Sequence, residues 1–301
     1  MEVIKQLKTV LPEQLIQQNE MMSKHTSFRI GGIADIYISP QNSEQIKNVI
    51  TIAKQYNIPV MIIGNGSNLL VSDKGIRGIV IQTANNMNEI VTKGETIKAE
   101  SGALLSAIGA EALKHSLKGF SFASGIPGSL GGAVCMNAGA YGGEMKDVIL
   151  EAEVLTKELD IKKLSVKELD LQYRHSVIPE KEYIVLNATI QLEKGDYNTI
   201  QKEMTELAEQ RRQKQPLNFA SAGSTFKRPK GYFAGKLISD AGLKGYCIGG
   251  AQVSEKHGGF IINKGNATCA DVIALIEHCQ KTVFEKFGVS LETEVKMIGE
   301  K

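Results

Sequence analysis

Between Gly119 and Gly143 the chain runs for 25 residues without a charged side chain, and eight of them are glycine. So long an uncharged run resembles a membrane span, but its composition excludes one. Eight glycines, Pro127, Asn137 and several serines leave more loose backbone than hydrocarbon can satisfy. The segment reads instead as a shaped loop, because Pro127 fixes φ beside glycines that free it. Its lack of charge implies burial against another surface. A second cluster places ten glycines in Gly223–Gly265, so 18 of the chain's 30 fall in two windows.

The rest of the composition is that of a globular protein. A hydrophobic content of 42% with a net charge of +2 excludes a disordered chain, a collagen-like repeat and a strong nucleic-acid polyelectrolyte. A length of 301 residues suits about two domains, each able to bury a core. Cys135, Cys247, Cys269 and Cys279 form no CxxC pair, and the five histidines form no HExxH pattern, so no metal is expected. The four thiols read as free in a reducing compartment. The N-terminal residues carry charges at Glu2, Lys5 and Lys8 with no apolar core of signal-peptide length. The expectation is a cytoplasmic protein with no membrane and no nucleic-acid partner.

Helical spacing of Ile4, Leu7, Leu11 and Leu15 predicts an N-terminal helical cap over 1–25. Asp35–Ser39 reads as a strand. Ser43–Tyr56 reads as an amphipathic helix with Ile46, Val49, Ile50 and Ala53 inward and Ser43 as its N-cap. Strands follow at Pro59–Ile63, Leu69–Asp73, Gly78–Gln82 and Thr96–Glu100. Leu104–Leu117 has helical spacing and is expected to stop at Gly119. Further strands are expected at Val148–Leu155, Ile161–Ser165 and Tyr183–Leu192. The polar helix Thr199–Lys214 runs to Pro216 and marks the best domain boundary. Beyond it come short strands around Ile248–Val253 and Gly259–Asn263, then a helix at Ala270–Phe287. Thr268 and Asp271 have the spacing of a capping box for that helix. A final strand spans Leu291–Ile298. Strands interleaved with helices give an α+β protein with at least two lobes.

The first glycine loop, Gly64-Asn65-Gly66-Ser67-Asn68, closes a strand. Glycines there let N–H groups approach a phosphate, and Ser67 and Asn68 add neutral donors. A tight turn is the alternative. A Rossmann nucleotide site is disfavoured, because the third glycine is missing and a strand rather than a helix follows. The second loop is more specific: an uncharged, donor-rich wall suits the ring, ribitol and diphosphate of a flavin, which charge would perturb. A glycine-rich hairpin packed on another sheet is the alternative.

These two loops, in this order and separation, resemble the flavin-binding lobe of the vanillyl-alcohol-oxidase/para-cresol-methylhydroxylase superfamily. Tyr173-Arg174-His175-Ser176, Ala222-Gly223-Ser224-Thr225-Phe226 and Leu291-Glu292-Thr293-Glu294-Val295 narrow the match. From Thr26 to the C-terminus the chain resembles the shorter subclass of the UDP-N-acetylenolpyruvoylglucosamine reductase family, without the extra tyrosine-bearing loop of longer members. The resemblance implies a two-lobed FAD-binding region over 26–195, divided near 84–95. It also implies a connecting helix at 196–215 and a smaller α+β substrate domain at 216–301. It further implies non-covalent FAD, NADPH as reductant, UDP-GlcNAc-enolpyruvate as the small-molecule substrate, and a place in peptidoglycan synthesis. Oligomeric state is not legible, and a monomer is the default.

By the same resemblance FAD would meet Ile63, Gly64, Asn65, Gly66, Ser67, Asn68 and Leu69 of the first loop. In the second it would meet Ser124, Gly125, Ile126, Pro127, Gly128, Ser129, Gly131, Gly132, Asn137, Gly139 and Ala140. The implied chemistry is hydride delivery to the enolpyruvyl methylene carbon, with charge developing on the neighbouring carbon and its carboxylate. Arg174 matches the family's carboxylate-binding arginine, Ser224 its proton donor and Glu294 its active-site glutamate. A surface arginine, a turn serine and a solvated acid are the plainer readings of the three. Strand alternation puts Glu292 and Glu294 on one face, so spacing does not choose between them. Tyr173, Lys227, Tyr232 and Lys236 are candidate substrate contacts, with Arg228 and Phe233 beside them; a solvated basic face is the alternative. His257 reads as structural. A different flavoenzyme acting on a sugar or lactone, or a non-catalytic nucleotide-sugar binder, are the competing functions.

Overall fold

Ile4, Leu7, Leu11 and Leu15 are all buried, yet only the first part of that segment is helical. In the computed structural model, which describes residues 2–301, the helix covers Glu2–Val10. It ends before Pro12, because a residue preceding proline is pushed out of the helical region. Glu13–Leu15 makes one 3₁₀ turn, and Ile16–Met21 is a strand. Of the helical cap expected over 1–25, only single 3₁₀ turns at Glu13–Leu15 and Met22–Lys24 follow Val10. The strand owes its form to pairing with Ile33–Ile38, which local spacing does not report.

The chain divides into two compact units. The first comprises residues 2–17, 36–65 and 79–210. One of its cores gathers Leu7, Ile38, Ile46, Val49, Ile79 and Ile81 beneath the helices Glu2–Val10 and Ser43–Gln55. The cap of the second helix is Asn42 rather than Ser43: its side chain accepts the Gln45 N–H at 3.0 Å. Val60–Ile63 pairs in parallel with Ile79–Gln82, and Gly64 follows directly on that strand. The other core lies against a five-stranded antiparallel sheet. Its order is Ile161–Ser165, Ile149–Leu155, Ile184–Gln191, Thr96–Glu100 and Ile90–Lys93. The last of these strands was not anticipated. Leu105–Lys114 forms the helix expected as far as Leu117. It stops early because Ser116 takes the left-handed conformation (φ +53), and Leu117–Lys118 then pairs with Glu193–Lys194.

The second unit comprises residues 18–35, 66–78 and 211–301. A three-stranded antiparallel sheet, Cys247–Ile248, Ala251–Val253 and Ile261–Asn263, backs the helix Cys269–Phe287. Val272, Leu275, Ile276, Cys279 and Val283 of that helix are buried as their spacing predicts. Each buried aliphatic side chain contributes about 2 kcal/mol. The capping box is present, Thr268 with Asp271, and Asp73 accepts the Cys269 and Ala270 N–H groups at 2.7 and 3.0 Å. Leu69–Val71 pairs in parallel with Lys296–Ile298. The last strand thus begins at Lys296 rather than Leu291, because residues 292–295 depart from regular pairing.

The Thr268 and Gly250 N–H groups hold the Asp271 carboxyl below the usual carboxylate range. A lowered folded-state pKa means that its stabilisation is complete above the unfolded value, roughly 3.9, and is lost as pH falls through the folded value. Asp271→Asn should cost about 1 kcal/mol at neutral pH. Urea midpoints of parent and variant should converge in acid; a gap that persists there would refute the assignment.

Candidate active site

In the first unit the two glycine loops meet at Gly64. A Cβ there would overlap Ser129 Oγ while standing 3.5 Å from Ser129 Cβ, so alanine would drive that hydroxyl into another rotamer. The Asn65 side chain donates to the Pro127 carbonyl at 2.8 Å, and Gln82 donates to the Gly64 carbonyl at 2.9 Å. Gln82 in turn accepts the Tyr37 hydroxyl, to which Asn85 also donates at 3.0 Å. Ile63 is buried behind the loop. Ser124 bonds its own turn through Ser121, and Gly128 accepts the Leu105 N–H. Ile126 packs on the core, while Gly125, Pro127 and Gly132 are exposed.

Ser129 and Ser101 are each 1% exposed, and neither hydroxyl has a hydrogen-bond partner. An unsatisfied buried hydroxyl costs about 1–3 kcal/mol. Two of them beside an uncharged loop fit a ligand held by hydrogen bonds rather than ion pairs, and the residues present fit FAD. Gly64→Ala should weaken FAD binding about tenfold with the fold intact, since displacement of the Ser129 hydroxyl rather than core packing is the lesion. Titration of apoprotein with FAD, followed by flavin fluorescence, measures this, and an unchanged Kd would contradict it.

Asn137 lies behind the loop, 1% exposed and in the left-handed conformation (φ +43). Its amide donates to Glu144 at 2.7 Å and to the Gln172 carbonyl at 3.0 Å, and its oxygen accepts the Lys146 N–H at 2.9 Å. Gly139 and Ala140 pair with Gly143–Glu144 in a hairpin. Through Asn137 the second loop is tied to the turn that carries Tyr173 and Arg174. Gln172 and His175 close that turn with two 3.2 Å backbone bonds. Arg174 sits inside it at φ +55, its guanidinium 5.3 Å from the Tyr173 ring centroid. Burial pushes the thiol of Cys135, the last residue of the loop's short helix Leu130–Cys135, up to about 12, so it stays protonated.

In the second unit, Gly66 continues the first loop at φ +63, and its carbonyl accepts the Ser27 N–H. The Ser67 carbonyl accepts the Ser27 hydroxyl at 3.4 Å. Asn68 reaches the Glu294 carbonyl at 3.1 Å, and Leu69 opens the strand paired with Lys296. Phe226 and Thr293 form an antiparallel bridge, flanked by the Lys227 N–H donating to Glu292 at 2.8 Å. The N–H groups of both Glu294 and Val295 then converge on the single carbonyl of Thr225, at 2.8 and 3.4 Å. Two donors on one acceptor mark a β-bulge, a device that re-aims a side chain beside many active sites. It separates the two acids that alternation left equivalent. Glu292 is exposed and pairs with Lys227 at 3.1 Å, whereas Glu294 is half-buried.

Ser224 adjoins Thr225 and is half-buried, and among the described residues no hydrogen bond occupies its hydroxyl. Lys236 pairs with Asp240 at 2.6 Å, one helical turn on. Arg228 lies 4.0 Å from the centroid of Phe233, and Tyr232 is half exposed. His257 accepts the Gly259 N–H at 3.1 Å through Nδ1 and meets Phe260 edge-on. Burial, and then Lys244, hold its pKa below the ordinary imidazole value, as befits a structural neutral ring. Among the described residues no cluster of three or more His, Cys, Asp or Glu is placed to hold a metal ion. No helix of the described residues is long and apolar enough to cross a membrane.

Sequence reasoning missed Ser101, Gln82 and Thr225. Ser101 and Gln82 follow or end strands, where a polar residue gives no signal of its own. Thr225 stands beside Ser224 but matters through its backbone.

Residues 34–165 match the family described as FAD binding domain. That match and the uncharged cradle place the chain among FAD-binding oxidoreductases. Wild-type Phl p 4.0202, a glucose dehydrogenase, shares the fold at TM-score 0.52 and 13% identity over 65% of this chain and 45% of its own. Residues 215–298 match the C-terminal domain of UDP-N-acetylenolpyruvoylglucosamine reductase. The reductase of that name from Caldanaerobacter subterraneus subsp. tengcongensis is 57% identical over 299 residues, 99% of both chains. The structure of the Thermus caldophilus enzyme, UDP-N-acetylenolpyruvylglucosamine reductase, superposes with TM-score 0.81 at 34% identity. That superposition covers 92% of this chain and 97% of the Thermus chain. The chain belongs to the UDP-N-acetylenolpyruvoylglucosamine reductase family.

Proposed function

We propose that the chain reduces UDP-N-acetylglucosamine enolpyruvate to UDP-N-acetylmuramate, with NADPH as reductant, in cytoplasmic peptidoglycan synthesis. The carrying observation is the family match over 99% of the chain, joined to a Ser224 hydroxyl without a hydrogen-bond partner among the described residues, one residue from the carbonyl that holds Glu294. FAD, held by the glycine loops around Gly64, Asn65 and Ser129, would supply the hydride chemistry that links NADPH to the methylene carbon of the enolpyruvyl ether. Arg174 binds the substrate carboxylate, where its planar fork suits two oxygens. Ser224 gives a proton to the carbon beside that carboxylate, so that hydride and proton together saturate the double bond. Glu294 hydrogen-bonds the charge developing on the carboxylate side, which requires its protonated form. Lys227 and Lys236 meet the diphosphate, and Tyr173 and Tyr232 the rest of the nucleotide sugar. The FAD-binding role falls to 26–195 and the substrate role to 216–301.

Anaerobic stopped-flow on the purified protein tests the reading. Expected is a yellow protein bleached by NADPH and reoxidised by UDP-GlcNAc-enolpyruvate. Reoxidation by oxygen with a sugar donor would indicate an oxidase, and a colourless protein a binding module. Acid precipitation should release free flavin, since attachment is non-covalent.

A further inference from the structure

We infer that Asn68 is a positioning residue for Glu294, through its side chain, whatever its backbone does for the cofactor. The inference rests on Glu294 serving in the proposed protonation half of the reaction. The sequence predicts a phosphate cradle in the first glycine loop, with Asn68 one of its neutral donors. The Asn68 amide instead donates to the Glu294 carbonyl at 3.1 Å, while its own carbonyl accepts the Lys296 N–H at 2.9 Å. Leu69 then pairs with Lys296 as the parallel ladder begins. On the other side, the Glu294 N–H is held by Thr225 at 2.8 Å. Thr225 is itself fixed, its N–H to the Gly259 carbonyl at 2.8 Å and its hydroxyl accepting the Ile261 N–H at 3.1 Å.

Both polar groups of the Glu294 main chain are therefore clamped, one by the segment that carries Ser224 and one by Asn68. A bulged residue has no regular ladder to fix its backbone, so these two bonds hold the peptide from which the Glu294 side chain leaves. Removing the Asn68 donor frees the carbonyl side alone. Displacement of a reacting group by 1 Å can cost about 10²-fold in rate, and loss of one of two clamps belongs below that limit.

The test compares Asn68→Ala, Asn68→Ser, Glu294→Gln and the double variant Asn68→Ala/Glu294→Gln in both half-reactions, with FAD affinity measured alongside. At saturating FAD, Asn68→Ala should slow reoxidation by UDP-GlcNAc-enolpyruvate about tenfold per bound flavin, with a loss in NADPH bleaching per bound flavin of less than about threefold. In the Glu294→Gln background the Asn68 change should add nothing, because it acts through Glu294. Asn68→Ser supplies the same comparison should the alanine variant fold poorly. A tenfold weaker FAD affinity with normal reoxidation per bound flavin would make Asn68 a cofactor ligand and overturn the inference. Multiplying effects in the double variant would overturn it as well. Normal reoxidation in Glu294→Gln alone would remove Glu294 from the reaction, and that result sinks both readings.

Discussion

Replacing Ser224 by alanine should leave a yellow protein that NADPH bleaches at close to the parent rate. Reoxidation by the enolpyruvyl substrate should fall by about 10³-fold or more, the upper part of the range for loss of a general acid. The separation follows from where the hydroxyl stands. It bonds nothing in the protein among the described residues, so its removal breaks no structural contact. Its backbone is fixed by Thr225, which joins Gly259 on one side and the Glu294 bulge on the other. Alanine keeps that backbone and deletes only the proton source. A serine hydroxyl is a weak acid, so it serves only a strongly basic carbon centre, and water is a poor replacement. Equal loss in both half-reactions would mean that Ser224 supports the cofactor rather than the substrate.

Arg174→Lys should reduce the same half-reaction by about 10²-fold, the scale of one lost charge-stabilising contact in a closed site. Lysine keeps the charge but not the fork, and its ammonium cannot bridge two carboxylate oxygens. Backbone strain gives a second readout. Arg174 lies at φ +55, a conformation costing a non-glycine residue about 1–2 kcal/mol, held by the two Gln172–His175 bonds. Arg174→Gly should therefore raise the unfolding midpoint while abolishing reoxidation. Loss of both stability and activity would show that the side chain holds the turn rather than the substrate.

Much of this molecule is legible in its sequence where the causes are local. The helix Cys269–Phe287 announces itself by its inward residues and by Thr268 and Asp271, because a cap and a period act within a few residues. The glycine loops are legible for a similar reason: unusual backbone needs unusual residues. Local reasoning fails where a distant segment decides. Ile16–Met21 falls within the segment expected to be a helical cap but becomes a strand beside Ile33–Ile38. Glu292 and Glu294 are equivalent by alternation, and only the convergence of two N–H groups on Thr225 parts them. Asn137 looks like one more polar member of a cofactor loop, yet its amide bonds Glu144 and Gln172 instead.

The interleaving of the two units decides what can be cut from this chain. The boundary between Gln210 and Arg211 invites a scissor cut, since it lies in the last turn of the polar helix Tyr197–Lys214 and the family's C-terminal domain begins a few residues on. A fragment starting at Arg211 would lack 18–35 and 66–78. Without Leu69–Val71 the strand Lys296–Ile298 becomes an open edge, and without Asp73 the helix Cys269–Phe287 loses two of its N-terminal acceptors. Glu294 would lose Asn68 as well. The acid and the serine thus belong to a module that is contiguous in space but written in three separate passages of the gene. No single truncation isolates it; only a rearranged chain, with the two early passages spliced onto the late one, would carry the whole unit.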